Sequence, residues 1–129
     1  MKNMLKKFYD YVDSIGIDKT QIYEEKGDGF TLVSFAEEGE ANEIYNLALI
    51  FYEDESLEVY VRKPINDFDE FSVLKKLNEL NAEYRSVTFF IDDNMLSLKS
   101  YCTTGGDIKV ALKEMVQDMQ LAQKEFKNI

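Results

Sequence analysis

The residues that come nearest to a catalytic or metal-binding set are carboxylates, because the chain contains no histidine. Asp92, Asp93 and Asn94 place three oxygen-bearing side chains in a row, and hard cations prefer oxygen ligands. They lack the spacing and the glycine of a calcium-binding loop, and they stand between two runs of apolar residues. We therefore interpret them as the turn of a β-hairpin and not as a metal site.

Paired carboxylates also do acid–base chemistry where burial raises the pKa of one of them. Asp92 and Asp93 form one such pair, and the segment "YEDES" (residues 52–56) contains others. Both segments are predicted turns between strands, where no substrate pocket is expected. The missing histidine also excludes Ser–His and Cys–His nucleophile pairs. We expect a protein that is not an enzyme, with no catalytic residues, no bound metal and no cofactor.

Two further segments have weaker chemical signals. The segment "TTGG" (residues 103–106) precedes a predicted helix, where free backbone amides bind anions, but the lysine of a phosphate-binding loop is missing. Asp107 is placed to cap that helix and would repel phosphate. Cys102 is the single cysteine, so no intrachain disulfide forms, and no resolving partner for a reactive thiol is evident.

The composition indicates one folded domain covering residues 1–129, of which 45% are hydrophobic. No apolar run approaches the roughly 20 residues that cross a bilayer. The N-terminus "MKNMLKKFYDYVDS" lacks the apolar core of a secretory signal. We expect a cytoplasmic protein that has no membrane partner.

The net charge of −10 lies in one part of the chain. Residues 18–58 contain twelve acidic residues and two lysines, a balance of 2 − 12 = −10. Such a surface repels nucleic acid. The excess either serves solubility or forms a docking face for a basic protein or peptide partner.

Apolar residues at helical spacing predict a first helix over about residues 2–15, ended by Gly16. Asp67 and Glu70 fit a capping box for a second helix over about residues 68–83. Its predicted buried stripe is Phe68, Phe71, Leu74, Leu77, Leu80 and Tyr84. Asn78 and Asn81 near its end suit a structural role, bonding exposed carbonyls or the next strand, better than a partner contact.

A third helix begins after Asp107. Its apolar stripe is Ile108, Leu112, Met115, Met119, Ala122 and Phe126. The stripe is too short for a free coiled coil, so we favour a helix lying on a sheet.

Alternating apolar and polar residues predict strands. Phe30–Glu37, residues 43–54 and "LEVYVRK" (residues 57–63) form an antiparallel meander that Pro64 closes. Residues 86–103 then form a hairpin. The predicted fold is an α+β domain of order α-β-β-β-α-β-β-α, in which the helices cover one face of an antiparallel sheet of about five strands. An extra strand at residues 21–25 is left open.

The segment "LNELNAEYRSVTFFIDDNMLSLKSY" (residues 77–101) resembles the YbjN family of bacterial proteins. The resemblance rests on "LNxLNAEYR" closing a helix, the aromatic strand "VTFFIDD", the run "LSLKSY" and the order of elements. The turn "DDNM" departs from the family pattern because it has no glycine. That family is described as regulators of sensory transduction and shares the fold of type III secretion chaperones. The resemblance implies a small dimeric domain that binds polypeptide, and it brings no catalytic residues.

The face of the sheet without helices is the remaining candidate site. One set of side chains is predicted to point away from the helices: Ile44, Ala48, Ile50, Tyr60, Phe90 and Tyr101. A contiguous apolar patch usually marks an interface, unless charged neighbours such as Glu58, Arg62 and Lys99 break it into ordinary surface. We expect a non-enzymatic, chaperone-like or regulatory adaptor that acts as a homodimer. The alternative is an enzyme or small-ligand sensor with a pocket between helices and sheet.

Overall fold

The computed structural model describes residues 2–127 and residue 129. Its main elements, in chain order, are α1 (Lys2–Ser14), β1 (Tyr23–Gly27), β2 (Phe30–Glu38), β3 (Ile44–Tyr52), β4 (Ser56–Pro64), α2 (Glu70–Glu83), β5 (Val87–Asp92), β6 (Met95–Thr103) and α3 (Ile108–Phe126). A short 3₁₀ helix, Lys19–Gln21, connects α1 to β1. The predicted α+β class and antiparallel sheet are confirmed. No helix of the described residues is long and apolar enough to cross a membrane.

All six strands form one antiparallel sheet in the order β1-β2-β3-β4-β6-β5. The first four strands form a meander, and the β5–β6 hairpin joins it through β6 beside β4. This placement leaves β1 at one edge and β5 at the other. The centre of the sheet is formed by the long strands β2, β3, β4 and β6, each of nine residues.

The three helices lie on one face of the sheet, which we call the inner face, and the opposite face is the outer face. Phe8 of α1 packs against Phe35 and Phe51, and Phe126 of α3 packs edge-on against Phe89. The inner-face side chains of the central strands are fully buried or nearly so: Val33, Tyr45, Leu47, Leu49, Leu57, Val59, Val61 and Leu98. The predicted inward alternation is confirmed.

The prediction of about five strands was wrong by one. Tyr23–Gly27 is a sixth strand that pairs with β2 in the register Tyr23↔Ser34. Every residue of this edge strand is exposed, so "YEEKG" has no alternation of apolar and polar residues. Backbone pairing with β2 forms the strand, and side-chain burial contributes little to it.

The predicted cap of α2, and part of its predicted buried stripe, were also wrong. The helix begins at Glu70, and its cap is Asp69, whose carboxylate accepts a hydrogen bond from the Phe71 amide. A spacing of three residues rotates a position by about 60° around a helix at each step. The predicted stripe therefore turns from Phe71 to the opposite side at Leu80. Leu77 and Leu80 are buried as predicted, and Phe68 and Tyr84 are half-buried against the core. Val73 is also buried, whereas Phe71 and Leu74 are exposed.

Asn81 joins α2 to the edge strand β5. Its Oδ1 accepts a hydrogen bond from the Phe89 amide at 2.6 Å, and its Nδ2 donates to the Phe89 carbonyl at 2.9 Å. The Asn81 side chain thus forms the two hydrogen bonds with Phe89 that the backbone of a neighbouring strand would otherwise form. The structural interpretation of Asn81, as a bond to the next strand, is confirmed.

The two turns that frame the last elements agree with the sequence. Asp93 and Asn94 both have positive φ, 50° and 58°, as the tight turn between paired strands requires. Aspartate and asparagine tolerate this conformation, so the turn needs no glycine. Asp107 caps α3 by accepting a hydrogen bond from the Lys109 amide, and α3 lies over β4 and β6.

The Asn81 contact gives a stability prediction. Replacing Asn81→Ala leaves the Phe89 amide and carbonyl without their side-chain partner, which we expect to lower the free energy of unfolding by about 1–2 kcal/mol. The matched control is Asn78→Ala, because Asn78 is exposed one turn earlier on the same helix. Urea titration measures both. An equal effect of the two substitutions would contradict a specific bond to β5.

Candidate functional site

The outer face carries the six residues that the sequence predicts for an interface, and the strand register decides which of them meet. Ala48 lies opposite Tyr60 and Ser34, and Ile50 lies opposite Glu58 and Leu32. Ala48, Ile50 and Tyr60 therefore form one group on β3 and β4. They line a shallow groove of about 320 Å³, which extends across β2 to Tyr23 of the edge strand.

The other three predicted residues are set apart from that group. Phe90 lies opposite Ser97, and Arg62 follows on the next strand. Tyr101 lies opposite Glu58 and is 60% exposed. Ile44 stands at the end of β3. The apolar surface thus consists of a central group and three separate residues, and Glu58, Arg62 and Lys99 lie between them.

Tyrosine is the dominant aromatic residue of this face. Its four tyrosines, half of the eight in the chain, are Tyr23, Tyr52, Tyr60 and Tyr101. Tyrosine combines an apolar ring with a hydroxyl that can bond water or a partner, so it suits a surface that is both solvated and ready for contact. Sequence analysis missed Tyr23 and Tyr52, since one lies on the strand that was left open and the other ends β3 beside a turn.

Glu58 organises two of these rings. Its Oε1 accepts a hydrogen bond from the Tyr52 hydroxyl, and its Oε2 accepts one from the Tyr60 hydroxyl at 3.1 Å. The hydrogen bond to Glu58 raises the pKa of Tyr52 to about 12. Burial, and then the Glu58 charge, raises the pKa of Tyr60. Both hydroxyls therefore stay protonated near neutral pH and keep Glu58 bonded.

Arg62 is tied to the neighbouring hairpin. Its Nε donates to Ser97 Oγ at 3.3 Å, its Nη2 donates to the Asp92 carbonyl at 3.4 Å, and the same nitrogen lies 3.8 Å from the Asp92 carboxylate. These contacts fix the guanidinium over β6. The charges in the middle of the outer face, Glu58 and Arg62, are thus both engaged within the protein.

The acidic residues of the segment 18–58 do not form one face. Asp28 and Glu53–Glu55 lie together at one end of the sheet, where the Glu53 amide donates to the Gly29 carbonyl. The second group lies at the opposite end of β2, around the β2–β3 turn: Glu37, Glu38, Glu40 and Glu43. A basic partner would meet two separate acidic clusters, both at strand ends.

The other chemical candidates have structural roles. Asp93 and Asn94 form the hairpin turn. The Thr104 hydroxyl donates to the Glu55 carbonyl and accepts from the Gly106 amide, so the "TTGG" segment bonds within the chain. Burial raises the pKa of the half-buried Cys102 thiol, which makes it less reactive. No group of three or more possible metal-binding side chains occurs among residues 2–127 and 129.

No family model, curated protein or solved structure matches the chain. The resemblance to the YbjN family therefore stays a prediction. What the protein does has to be argued from its own surfaces.

One feature of the structure contradicts the sequence analysis, and a second had no counterpart in it. Phe71 is 75% exposed, more than any other large apolar side chain of the described residues. Asp118 of α3 is buried and receives a hydrogen bond from the Ser100 hydroxyl. Burial raises the pKa of Asp118 to about 8; the Ser100 bond opposes this rise, and the Glu114 charge adds to it. The Ser100 bond joins α3 to β6.

The raised pKa of Asp118 allows a prediction of how the free energy of unfolding depends on pH. Its folded pKa of about 8 exceeds the ordinary value of 3.8, so between these values the folded state holds a proton that the unfolded state has lost. Its contribution is complete below about pH 4 and is lost as the pH rises to about 8, by up to about 1.4 kcal/mol per pH unit.

Asp118→Asn removes this titration and keeps an acceptor for Ser100. We expect the variant to gain stability relative to the unmodified protein as the pH rises from about 5 to about 8. Urea unfolding at several pH values measures the difference. Parallel pH profiles for the two proteins would contradict a protonated Asp118.

Proposed function

We propose that the protein is a non-enzymatic protein-binding module that forms a homodimer through its outer face. The observation that carries the proposal is the Tyr-rich surface around the half-buried Ala48, Ile50 and Tyr60, on a sheet whose helices all lie on the other side. A sheet face that meets only water is normally dominated by polar side chains. The resemblance to the YbjN family points the same way.

The size of this face fits a stable protein interface. Strands lie about 4.8 Å apart and rise about 3.3 Å per residue, so five strand intervals and nine residues span roughly 24 by 30 Å. The resulting area of about 700 Å² is close to the roughly 800 Å² that each partner contributes to a standard interface. The whole outer face would therefore take part.

The charges favour a second copy as the occupant. Glu58, Arg62 and Lys99 represent both signs in the middle of the face, while the acidic clusters lie at the strand ends. Two copies related by a twofold axis can place Glu58 of one near Arg62 or Lys99 of the other. The net charge of −10 would otherwise oppose self-association, so its distribution away from the centre matters.

The proposal predicts a dimer that charge on the outer face disrupts. The chain has a mass of 15.0 kDa, and light scattering after gel filtration should give twice that mass for the unmodified protein. The double variant Tyr60→Asp, Phe90→Asp places carboxylates within the contact. We expect the dimer dissociation constant to rise by about 100-fold or more, since buried unpaired charges are costly.

The control is Phe71→Asp, which adds one carboxylate, half the charge of the double variant, at an exposed apolar residue on the helical side. We expect this variant to stay dimeric, because Phe71 lies on α2, on the helical side of the sheet. A strictly monomeric unmodified protein, or a dimer that Phe71→Asp disrupts and the double variant does not, would refute the proposal.

A further inference from the structure

A cleft of about 280 Å³ separates α1 from α3 on the inner face of the sheet. Its volume is near the lower end of the roughly 300–1,000 Å³ of small-molecule pockets. The sheet forms its floor, and the two helices form its sides. A pocket between helices and sheet, the alternative that the sequence leaves open, thus has a definite place in the fold.

The interior of the cleft is apolar. Its walls are formed by Phe8, Val12, Phe35, Leu47, Met115 and Met119. Five of these side chains are part of the buried core, and the sixth, Met115, is half-buried. Methionine side chains adapt their shape to what they contact, so α3 presents an adjustable wall to a bound molecule.

Apolar side chains continue to the mouth of the cleft. Ile15, in the last turn after α1, is 50% exposed, and Val116 of α3 is 44% exposed. Together they place apolar surface on both sides of the opening. A molecule that entered with an apolar body would remove this surface from water, which is favourable in proportion to the area buried.

One end of the cleft is polar and negatively charged. Glu37 and Glu40 line it together with Gln120 and Gln123. Gln123 is held in place, because its Oε1 accepts a hydrogen bond from the Glu40 amide at 2.8 Å. Within the described part of the chain, no lysine or arginine forms an ion pair with Glu37 or Glu40.

Two lysines lie nearby but outside the cleft. Lys124 and Lys127 line an adjoining depression that shares Glu40, Gln120 and Gln123 with the cleft, but neither lysine lines the cleft itself. A head group that stays at the end of the cleft therefore meets carboxylates first. This arrangement favours a positive charge over a negative one.

We propose that the cleft binds a small amphiphile with an apolar body and a protonated amine as its head group. The body would lie against Met115, Val116 and Met119, and the amine would reach Glu37 and Glu40. The inference is independent of the dimer, since the cleft and the outer face lie on opposite sides of the sheet.

The test compares three probes of equal chain length: decylamine, decan-1-ol and decanoate. Decylamine and decanoate are used below their micelle concentrations, and decan-1-ol below its solubility limit. Calorimetry at low ionic strength should show decylamine binding saturably and about tenfold more tightly than decanoate, with decan-1-ol between them. The preference should shrink with added salt, because the carboxylates are exposed. Decanoate binding as tightly as decylamine, or no saturable binding by any probe, would overturn the proposal.

Variants locate the binding. Glu37→Gln with Glu40→Gln should reduce the preference for decylamine to about twofold, whereas the control Glu38→Gln with Glu53→Gln, which changes the net charge equally, should preserve it. Met115→Trp should weaken all three probes by filling the cleft. Equal losses in the two double variants, or unchanged binding in Met115→Trp, would place the probes elsewhere. The Tyr60→Asp, Phe90→Asp variant should bind decylamine normally, which separates this proposal from the dimer.

Discussion

Side chains of a strand point alternately to the two faces of its sheet. Helices that cover one face therefore leave the side chains of the other face in contact with solvent or with a partner. Here α1, α2 and α3 all lie on the inner face, where Leu49, Val59 and Leu98 are fully buried. No helix of the described residues covers the outer face, so its own side chains form the surface there. The hydroxyls of Tyr52 and Tyr60 on this face bond to Glu58. Tyrosine hydroxyls can bond water, while the rings leave aromatic surface that a partner can contact.

The fold could be predicted wherever burial leaves a periodic pattern in the sequence. The alternation of Leu57, Val59 and Val61 predicted β4, and the caps and turns at Asp107 and Asp93 were recognised from residue type. β1 was left open because its exposed residues have no pattern. Phe71 and Leu74 were wrongly placed on the buried face of α2, because a spacing of three residues winds around a helix. The observed orientation of α2 follows from the Asp69 cap and the Asn81 bond to β5.

The candidate site was predictable in part. The side of the sheet to which Ile50, Tyr60 and their neighbours point follows from alternation alone. Their grouping depends on which strands pair. The pairing of β6 with β4 cannot be predicted from the residue pattern of either strand. The cleft depends on how far apart α1 and α3 lie on the sheet. Asp118 gave no signal either, because an acidic residue on a helix is ordinarily exposed.

The central claim is that the outer face, and not the helical side, meets a second copy of the chain. The most direct measurement is NMR with a soluble paramagnetic probe, which broadens solvent-exposed aromatic signals, recorded over a range of protein concentrations. The isolated chain exposes Tyr101 by 60% and Phe71 by 75%. The account predicts that the Tyr101 and Tyr60 rings become protected as concentration rises while Phe71 stays exposed. Protection of Phe71 with Tyr101 unchanged, or no protection of either ring, would contradict it.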